Sequence, residues 1–156
     1  MDKIQLLRAI VERLEVDFDI IQRAAQTAYE AATDEANVAE NKYDTLGLEA
    51  SYLATGQARR MEEIRQALGL YRQLVVRPYK EDEGIQLGAL AQLQTAAGQA
   101  HWFFLGPEAA GLKITRVGLV ATVITPRSPL GQQLLGKFED DELQVAQQVY
   151  RVLAVY

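Results

Sequence analysis

The stretch "TDEANVAENKYDTLG", residues 33–47, gathers carboxylates between two runs with helical patterning, and its one basic residue is Lys42. Its four acidic residues are Asp34, Glu35, Glu40 and Asp44. Oxygen ligands are what Mg²⁺ prefers, and one or two carboxylates can complete a partly built magnesium site. A bound metal also lowers the pKa of its water, which becomes a nucleophile at neutral pH. Residues 33–44, the acidic tip, are therefore predicted to reach toward a metal ion or another cation.

Ordinary helix chemistry offers an alternative for several of these residues. Asp34 and Glu35 precede a predicted helix, and acidic side chains there complement the helix macrodipole. Asn37 is a residue type that caps helix N-termini. Tyr43 and Asp44 suit an exposed first turn. From the residues alone, both interpretations stay open.

Before Arg77, apolar residues recur at spacings of three and four in two runs that must position the acidic tip. The first run is Leu7, Ile10, Leu14, Phe18, Ile21, Ala25, Ala28 and Ala32. The second run is Leu46, Ala50, Leu53, Gln57, Met61, Ile64, Leu68, Tyr71 and Val75. The pattern predicts an antiparallel two-helix coiled coil paired about residue 35, with irregular steps at Phe18 and Gln57 facing each other. Each arm should span about 45 Å at about 1.5 Å per residue.

After Gly84 the patterning is typical of β-strands. "IQLGALAQL" alternates, and its predicted buried face is Ile85, Leu87, Ala89, Ala91 and Leu93. "AHWFFL" should be a strand whose aromatic residues are core. "LKITRVGLVATVIT" predicts a strand with a bulge or tight corner near Gly118. "LQVAQQVYRVLAVY", residues 143–156, predicts one final strand.

"SPLGQQLLGK" predicts a short helix between these strands. Ser128 suits the N-cap, Pro129 the first helical position and Gly136 the left-handed C-terminal cap. "RPYKEDEG", residues 77–84, reads as a polar linker that follows a helix stop.

Composition excludes several classes of protein. The 156 residues contain no cysteine, so disulfides and cysteine-ligated zinc are excluded. The net charge of −5 argues against a general nucleic-acid binder, which needs clustered basic residues. The charged amphipathic N-terminus resembles neither a signal peptide nor a membrane span, so we expect a cytoplasmic protein. His101 has no neighbouring ligand residue, which favours a structural role over metal binding. Because each apolar seam is one stripe wide, we expect a monomer.

Two motifs resemble those of the bacterial Gre transcript-cleavage factors. "VITPRSPLGQQLLGKFEDDELQV", residues 123–145, is similar to the family signature: a strand, a Ser-Pro helix start, an aliphatic pair, Gly-Lys and an acidic turn into the last strand. Glu40–Asn41, followed by Tyr43, stands where the family carries its tip motif. The resemblance implies an α+β fold. Its parts would be an antiparallel coiled-coil hairpin at 1–76, a linker at 77–84 and a small β-rich, FKBP-like domain at 85–156.

The resemblance also implies a function. Such factors dock on bacterial RNA polymerase, with the globular domain at the rim of the secondary channel and the coiled coil inside it. Tip carboxylates, here Glu40, help hold the second catalytic magnesium and polarise a water that cleaves backtracked RNA near its 3′ end. The implied factor is not itself an enzyme and binds no cofactor stably, since Mg²⁺ is shared with the polymerase. Pro126, Arg127, Ser128 and Pro129 become candidates for contacting the polymerase rim.

One departure from the family pattern affects the expected activity. The family motif is Asp-x-x-Glu-Asn, whereas this chain reads "NVAEN", so Asn37 replaces the aspartate. Asp34 or Glu35 could substitute for it. Stimulation of cleavage and inhibition by channel occupancy therefore both remain open.

Other functions compete with this one. Arg59, Arg60 and Arg65 are comparable to the basic face that Gre hairpins offer to RNA, although Glu62 and Glu63 among them favour a salt-bridged surface. The FKBP-like architecture suggests a peptidyl-prolyl isomerase, by fold analogy alone. A coiled-coil interaction module with another partner is the third reading.

Overall fold

The computed structural model describes residues 2–33 and 46–156. Two long helices precede a sheet of six strands and one short helix, so the predicted α+β class is confirmed. The helices are α1 (Lys3–Thr33), α2 (Leu46–Gln73) and α3 (Pro129–Leu134). The strands are β1 (Leu90–Thr95), β2 (Ala100–Leu105), β3 (Lys113–Arg116), β4 (Leu119–Ile124), β5 (Glu142–Val145) and β6 (Gln148–Val155).

The chain divides into two compact units, residues 12–68 and residues 1–11 with 69–156. The larger unit therefore contains the first turns of α1 and the last turn of α2, as well as the whole sheet. The domain boundaries expected from the sequence, at 76 and 84, stay a prediction.

In the unit of residues 12–68, α1 and α2 lie side by side. Leu14, Ile64 and Leu68 are buried, and the other seam positions whose side chains are described are half-buried. One cleft is lined from both helices, by Gln22, Ala25, Gln26, Tyr29, Ala58 and Met61. Within the larger unit, Lys3 Nζ at the start of α1 donates to the carbonyl of Arg77, just past the end of α2. The helices therefore run antiparallel, as predicted.

The predicted register of this pair is wrong. The cleft places residues 22–29 beside residues 58–61, so the helices pair about residue 42 and not about residue 35. With this midpoint, the irregular steps at Phe18 and Gln57 do not face each other. The sequence pattern gives the apolar stripe of each helix, but it leaves the length of the connection undetermined. The second seam also ends early, because α2 stops at Gln73 and Val75 is 67% exposed.

The six strands form one sheet in the order β3-β4-β2-β1-β6-β5. Neighbours are antiparallel except β2 and β4, which are parallel. The predicted strand from Ile85 to Leu93 begins only at Leu90. Gly84 and Gly88 adopt positive φ values of 73° and 91°, which interrupts the alternation and leaves Leu87 exposed.

Two tight hairpins bound the outer strands. The corner predicted near Gly118 is present: Val117 and Gly118, with φ of 50° and 74°, connect β3 to β4. The single strand predicted over 143–156 is wrong, because the chain reverses at Ala146 and Gln147 between β5 and β6. Ala146 has a φ of 54°, which alanine rarely adopts, so its residue type gave no turn signal.

Each face of the sheet is covered within the larger unit. One face belongs to the core cluster, whose buried members are Ile85, Ala89, Ala91, Leu93, Leu105, Ile124, Leu134, Leu143, Val152 and Val155. The opposite face contributes Leu90, Phe104 and Val123, which pair across β1, β2 and β4 and are almost fully buried. Leu6 and Ile10 of α1 and Tyr71 of α2 are buried in the same unit. Of the predicted aromatic core, Phe104 is fully buried, whereas Trp102 and Phe103 are half-buried.

Tyr71 joins α2 to the connection between β2 and β3. Its hydroxyl donates a 2.6 Å hydrogen bond to the carbonyl oxygen of Glu108. Gly106 lies so close to that hydroxyl that a Cβ there would come well within 3.0 Å of it. Burial, with the Glu108 charge adding to it, raises the pKa of Tyr71 above its ordinary value of 10.0. The tyrosine is therefore a buried, neutral anchor.

Tyr71→Phe is expected to lower the free energy of unfolding by about 1–2 kcal/mol, because the carbonyl of Glu108 loses its buried donor. Ionisation of the unfolded tyrosine also makes wild-type stability fall as the pH rises above about 10, by up to about 1.4 kcal/mol per pH unit from this residue. The variant should lack that part of the alkaline loss. Urea unfolding between pH 7 and 11 measures both effects.

Tyr79→Phe is the matched control. The Tyr79 hydroxyl only accepts a 3.4 Å bond from the exposed Glu139 amide, so a change below about 0.5 kcal/mol is expected. Equal losses in the two variants would contradict the anchoring role of Tyr71.

Candidate functional site

The predicted tip residues Asp34, Glu35, Asn37 and Glu40 lie outside the described residues. Their roles toward a metal stay predictions. Among the side chains that the structure describes, no group of three or more histidine or acidic residues is placed to hold a metal ion. The second predicted site, around Pro126, Arg127, Ser128 and Pro129, lies within the described residues.

These four residues lie in a hydrogen-bonded corner between β4 and α3, residues 125–131, which we call the Ser-Pro turn. Ser128 is the N-cap, as predicted, and its Oγ accepts a 3.2 Å bond from the Gly131 amide. The same hydroxyl donates to the carbonyl of Thr125 at 2.7 Å, and the Ser128 amide donates there at 3.0 Å. Pro129 occupies the start of the helix, where its missing N–H costs nothing. The capping interactions read from the sequence are therefore present.

Gly131 allows the corner to close. A Cβ built on it would lie far inside 3.0 Å of the Thr125 carbonyl oxygen and also within 3.0 Å of Ser128 Oγ. Thr125 and Gly131 are themselves buried. Glycine is needed here for space, which is a requirement that helix propensity alone did not reveal.

The Ser-Pro turn presents one charged side chain to solvent. Arg127 is 70% exposed, and its Nη2 lies 2.7 Å from Oε1 of Glu108. Its own carbonyl accepts a 3.2 Å bond from the side chain of Gln132, which steadies the backbone beneath it. Glu108 is the residue whose carbonyl accepts from Tyr71. No sequence pattern predicts the Glu108–Arg127 pair, because the two residues stand in different connections of the sheet.

The acidic turn after α3 has a structural role in this fold. Asp140 pairs with Arg151 at 2.9 Å. Asp141 accepts a 2.9 Å bond from the Phe138 amide, and Glu139 accepts one of 3.0 Å from the Val155 amide. Gly136 has the left-handed φ of 80° predicted for it. Glu139 and Asp140 join the turn to β6, and Asp141 closes the turn on itself.

The basic group on α2 forms ion pairs along its own helix. Arg60 pairs with Glu63 at 3.1 Å, and Arg65 donates to Glu62 at 2.8 Å. The hydrogen bond from Arg65 lowers the pKa of Glu62, and the same contact raises that of Arg65. This is the salt-bridged surface that the sequence favoured over an RNA-binding face.

His101 and Trp102, in β2, each lie near another aromatic ring. His101 is exposed and its ring lies 6.3 Å from that of Phe103. Trp102 packs beside Tyr156 at 5.8 Å between ring centroids.

In the part of the chain that the structure covers, neither long helix has an apolar window sufficient to cross a membrane.

The chain is similar to several solved structures. One is the GreA factor homolog 1 (Gfh1) of Thermus thermophilus, at 22% identity, with 94% of each chain covered and a TM-score of 0.39. A second is described as the transcription factor Gfh1, at 20% identity, covering 95% of this chain and 94% of that one, with a TM-score of 0.38. The third is Gfh1 of Thermus aquaticus, at 21% identity, covering 96% and 95%, with a TM-score of 0.37.

These solved structures are of a GreA homolog. The similar structures therefore belong to the same family that the sequence motifs resemble. No protein-family model and no curated protein matches the chain.

Proposed function

We propose that this protein is an RNA polymerase-binding transcription elongation factor of the Gre type. In this proposal its helical hairpin enters the secondary channel of the bacterial enzyme and modulates elongation at the RNA 3′ end. The protein has no catalytic activity of its own and acts through the active site of the polymerase.

The observation that carries the proposal is the local structure of residues 123–145. The family-like signature in this stretch is a strand, a Ser-Pro helix start, an aliphatic pair, Gly-Lys and an acidic turn into the last strand; in this chain the turn leads into β5, which β6 follows. The chain has β4, Ser128 as N-cap, Gly136 at positive φ and a turn into β5 in that order. The signature therefore corresponds to one compact structural element that exposes Arg127 and Pro129 at its corner.

The register of the two long helices supports the second half of the proposal. Because they pair about residue 42, Glu40 and Asn41 are within two positions of the middle of the chain between them. A carboxylate at that position in the sequence is suited to reach a magnesium ion at the far end of a narrow channel.

The proposal includes two alternative activities of the acidic tip. If Glu40 is the one carboxylate that cleavage needs, the protein stimulates cleavage of backtracked RNA by helping to hold the second magnesium and its water. If cleavage also needs an aspartate at position 37, the protein occupies the channel without cleavage and competes with other channel-binding factors. Mg²⁺ is shared with the polymerase in the first case.

Binding to core RNA polymerase tests the proposal. Wild-type protein is expected to bind at micromolar concentration or below, and Arg127→Glu to bind at least about tenfold more weakly, because it reverses the exposed charge of the Ser-Pro turn. Arg151→Glu, which reverses another exposed, ion-paired arginine outside both the hairpin and the Ser-Pro turn, serves as a charge-matched control. If wild-type protein fails to bind, the proposal is rejected.

A further inference from the structure

Glu108 is the residue through which α2 and the Ser-Pro turn are connected. It lies in the connection between β2 and β3, and both its carbonyl and its carboxylate are engaged. The carbonyl accepts from Tyr71, which is buried near the end of α2. The carboxylate accepts from Arg127 at the exposed corner. One residue thus links a buried anchor to the exposed arginine of the turn.

Contacts with Tyr71 hold the backbone at Glu108 in place. The 2.6 Å bond from the Tyr71 hydroxyl fixes the carbonyl, and the tight contact of Gly106 with the same tyrosine fixes the chain two residues earlier. The carboxylate therefore extends from a defined position, which is a condition for orienting another side chain.

The guanidinium of Arg127 is the part of the Ser-Pro turn that the backbone does not fix. The main chain is held by the bonds among Thr125, Ser128 and Gly131. A long, exposed arginine has many rotamers, and ordering it on binding costs affinity. Its guanidinium has five N–H donors. The bond to Glu108 uses Nη2, so further donors of the planar group stay available to a partner.

We propose that Glu108 is a positioning residue that orients the Arg127 guanidinium for bidentate binding to a carboxylate on the polymerase. This inference rests on the proposed function. Glu108 also has an opposing effect, because its negative charge repels the partner carboxylate. The Glu108–Arg127 contact is a directional 2.7 Å hydrogen bond, whereas a partner carboxylate on the remaining donors would lie at another edge of the guanidinium, farther from Glu108, where water and salt screen the repulsion. Orientation is therefore the larger effect.

The dissociation constant for core RNA polymerase measures this role. Glu108→Gln should bind about three- to tenfold more weakly than wild type. Arg127→Gln should lose more, and the double variant should be no weaker than Arg127→Gln alone, because the two residues act as one unit. The melting temperature should stay unchanged in all three, since an exposed ion pair contributes little to stability.

Two controls separate orientation from charge. Asp140→Asn removes the exposed Asp140–Arg151 pair of the acidic turn and should leave affinity unchanged. The exchanged pair, Glu108→Arg with Arg127→Glu, restores an ion pair but should bind no better than Arg127→Gln. A Glu108→Gln variant that binds as tightly as wild type, or more tightly, overturns the positioning role. Loss of binding by wild-type protein is a different result, which rejects the proposed function itself.

Discussion

Gly131→Ala is expected to lower the free energy of unfolding by about 3 kcal/mol or more, the largest effect on stability of any change considered. The new methyl group would overlap the carbonyl oxygen of Thr125 and press on Ser128 Oγ. Neither atom can move without cost, because the carbonyl belongs to a buried backbone and the hydroxyl caps α3. Relief requires opening the Ser-Pro turn, so polymerase binding should fall together with stability.

Gly56→Ala is the matched control for this substitution. Gly56 lies exposed in the middle of α2, and a Cβ there meets nothing within 4 Å. Alanine should stabilise that helix by up to about 1 kcal/mol. Urea unfolding of both variants measures the contrast. Equal stability of Gly131→Ala and wild type would show that the turn is not closed as described.

Asn37→Asp is expected to raise the rate of RNA cleavage in backtracked elongation complexes by about tenfold or more. The amide at position 37 carries no charge, whereas aspartate would add a second carboxylate, three positions before Glu40 in the sequence, for the metal-bound water or its proton. Glu40→Ala should reduce any cleavage that wild-type protein stimulates to the level of polymerase alone. Cleavage is followed by release of a short 3′ fragment from labelled RNA.

Controls for the tip separate its chemistry from simple binding. Both variants should bind core polymerase as wild type does, because the Ser-Pro turn is unchanged in them. Glu35→Gln, which removes a neighbouring carboxylate, should have a smaller effect than Glu40→Ala. If neither Asn37→Asp nor Glu40→Ala changes cleavage, the tip carboxylates have no role at the polymerase metal.

The parts of this fold that could be read from the sequence are those set by local chemistry. Ser128, Pro129 and Gly136 each act within one helical turn, so their residue types determine their positions. The corner at Gly118 is of the same kind, because glycine adopts positive φ without strain. The apolar stripes of α1 and α2 were likewise visible as spacings of three and four.

The parts that could not be read depend on distant contacts or on unusual residues. Ala146 turns the chain at positive φ without glycine or asparagine, so the last hairpin appeared as one strand. The register of the helices depends on which faces meet in space, and spacing along each helix does not specify it. Tyr71 belonged to an expected helical seam, but its hydroxyl is bonded to Glu108 in the connection after β2. The pairing of Glu108 with Arg127 is another contact that only the folded chain reveals.

Occupation of the secondary channel is tested most directly by competition on a backtracked elongation complex. The complex is first loaded with a labelled, authentic Gre cleavage factor, and unlabelled wild-type protein is then added. We predict that the labelled factor is displaced in a saturable way at micromolar protein, and that Arg127→Glu requires at least about tenfold more. Wild-type protein that binds without displacing the labelled factor, or that does not bind, would contradict occupation of the channel.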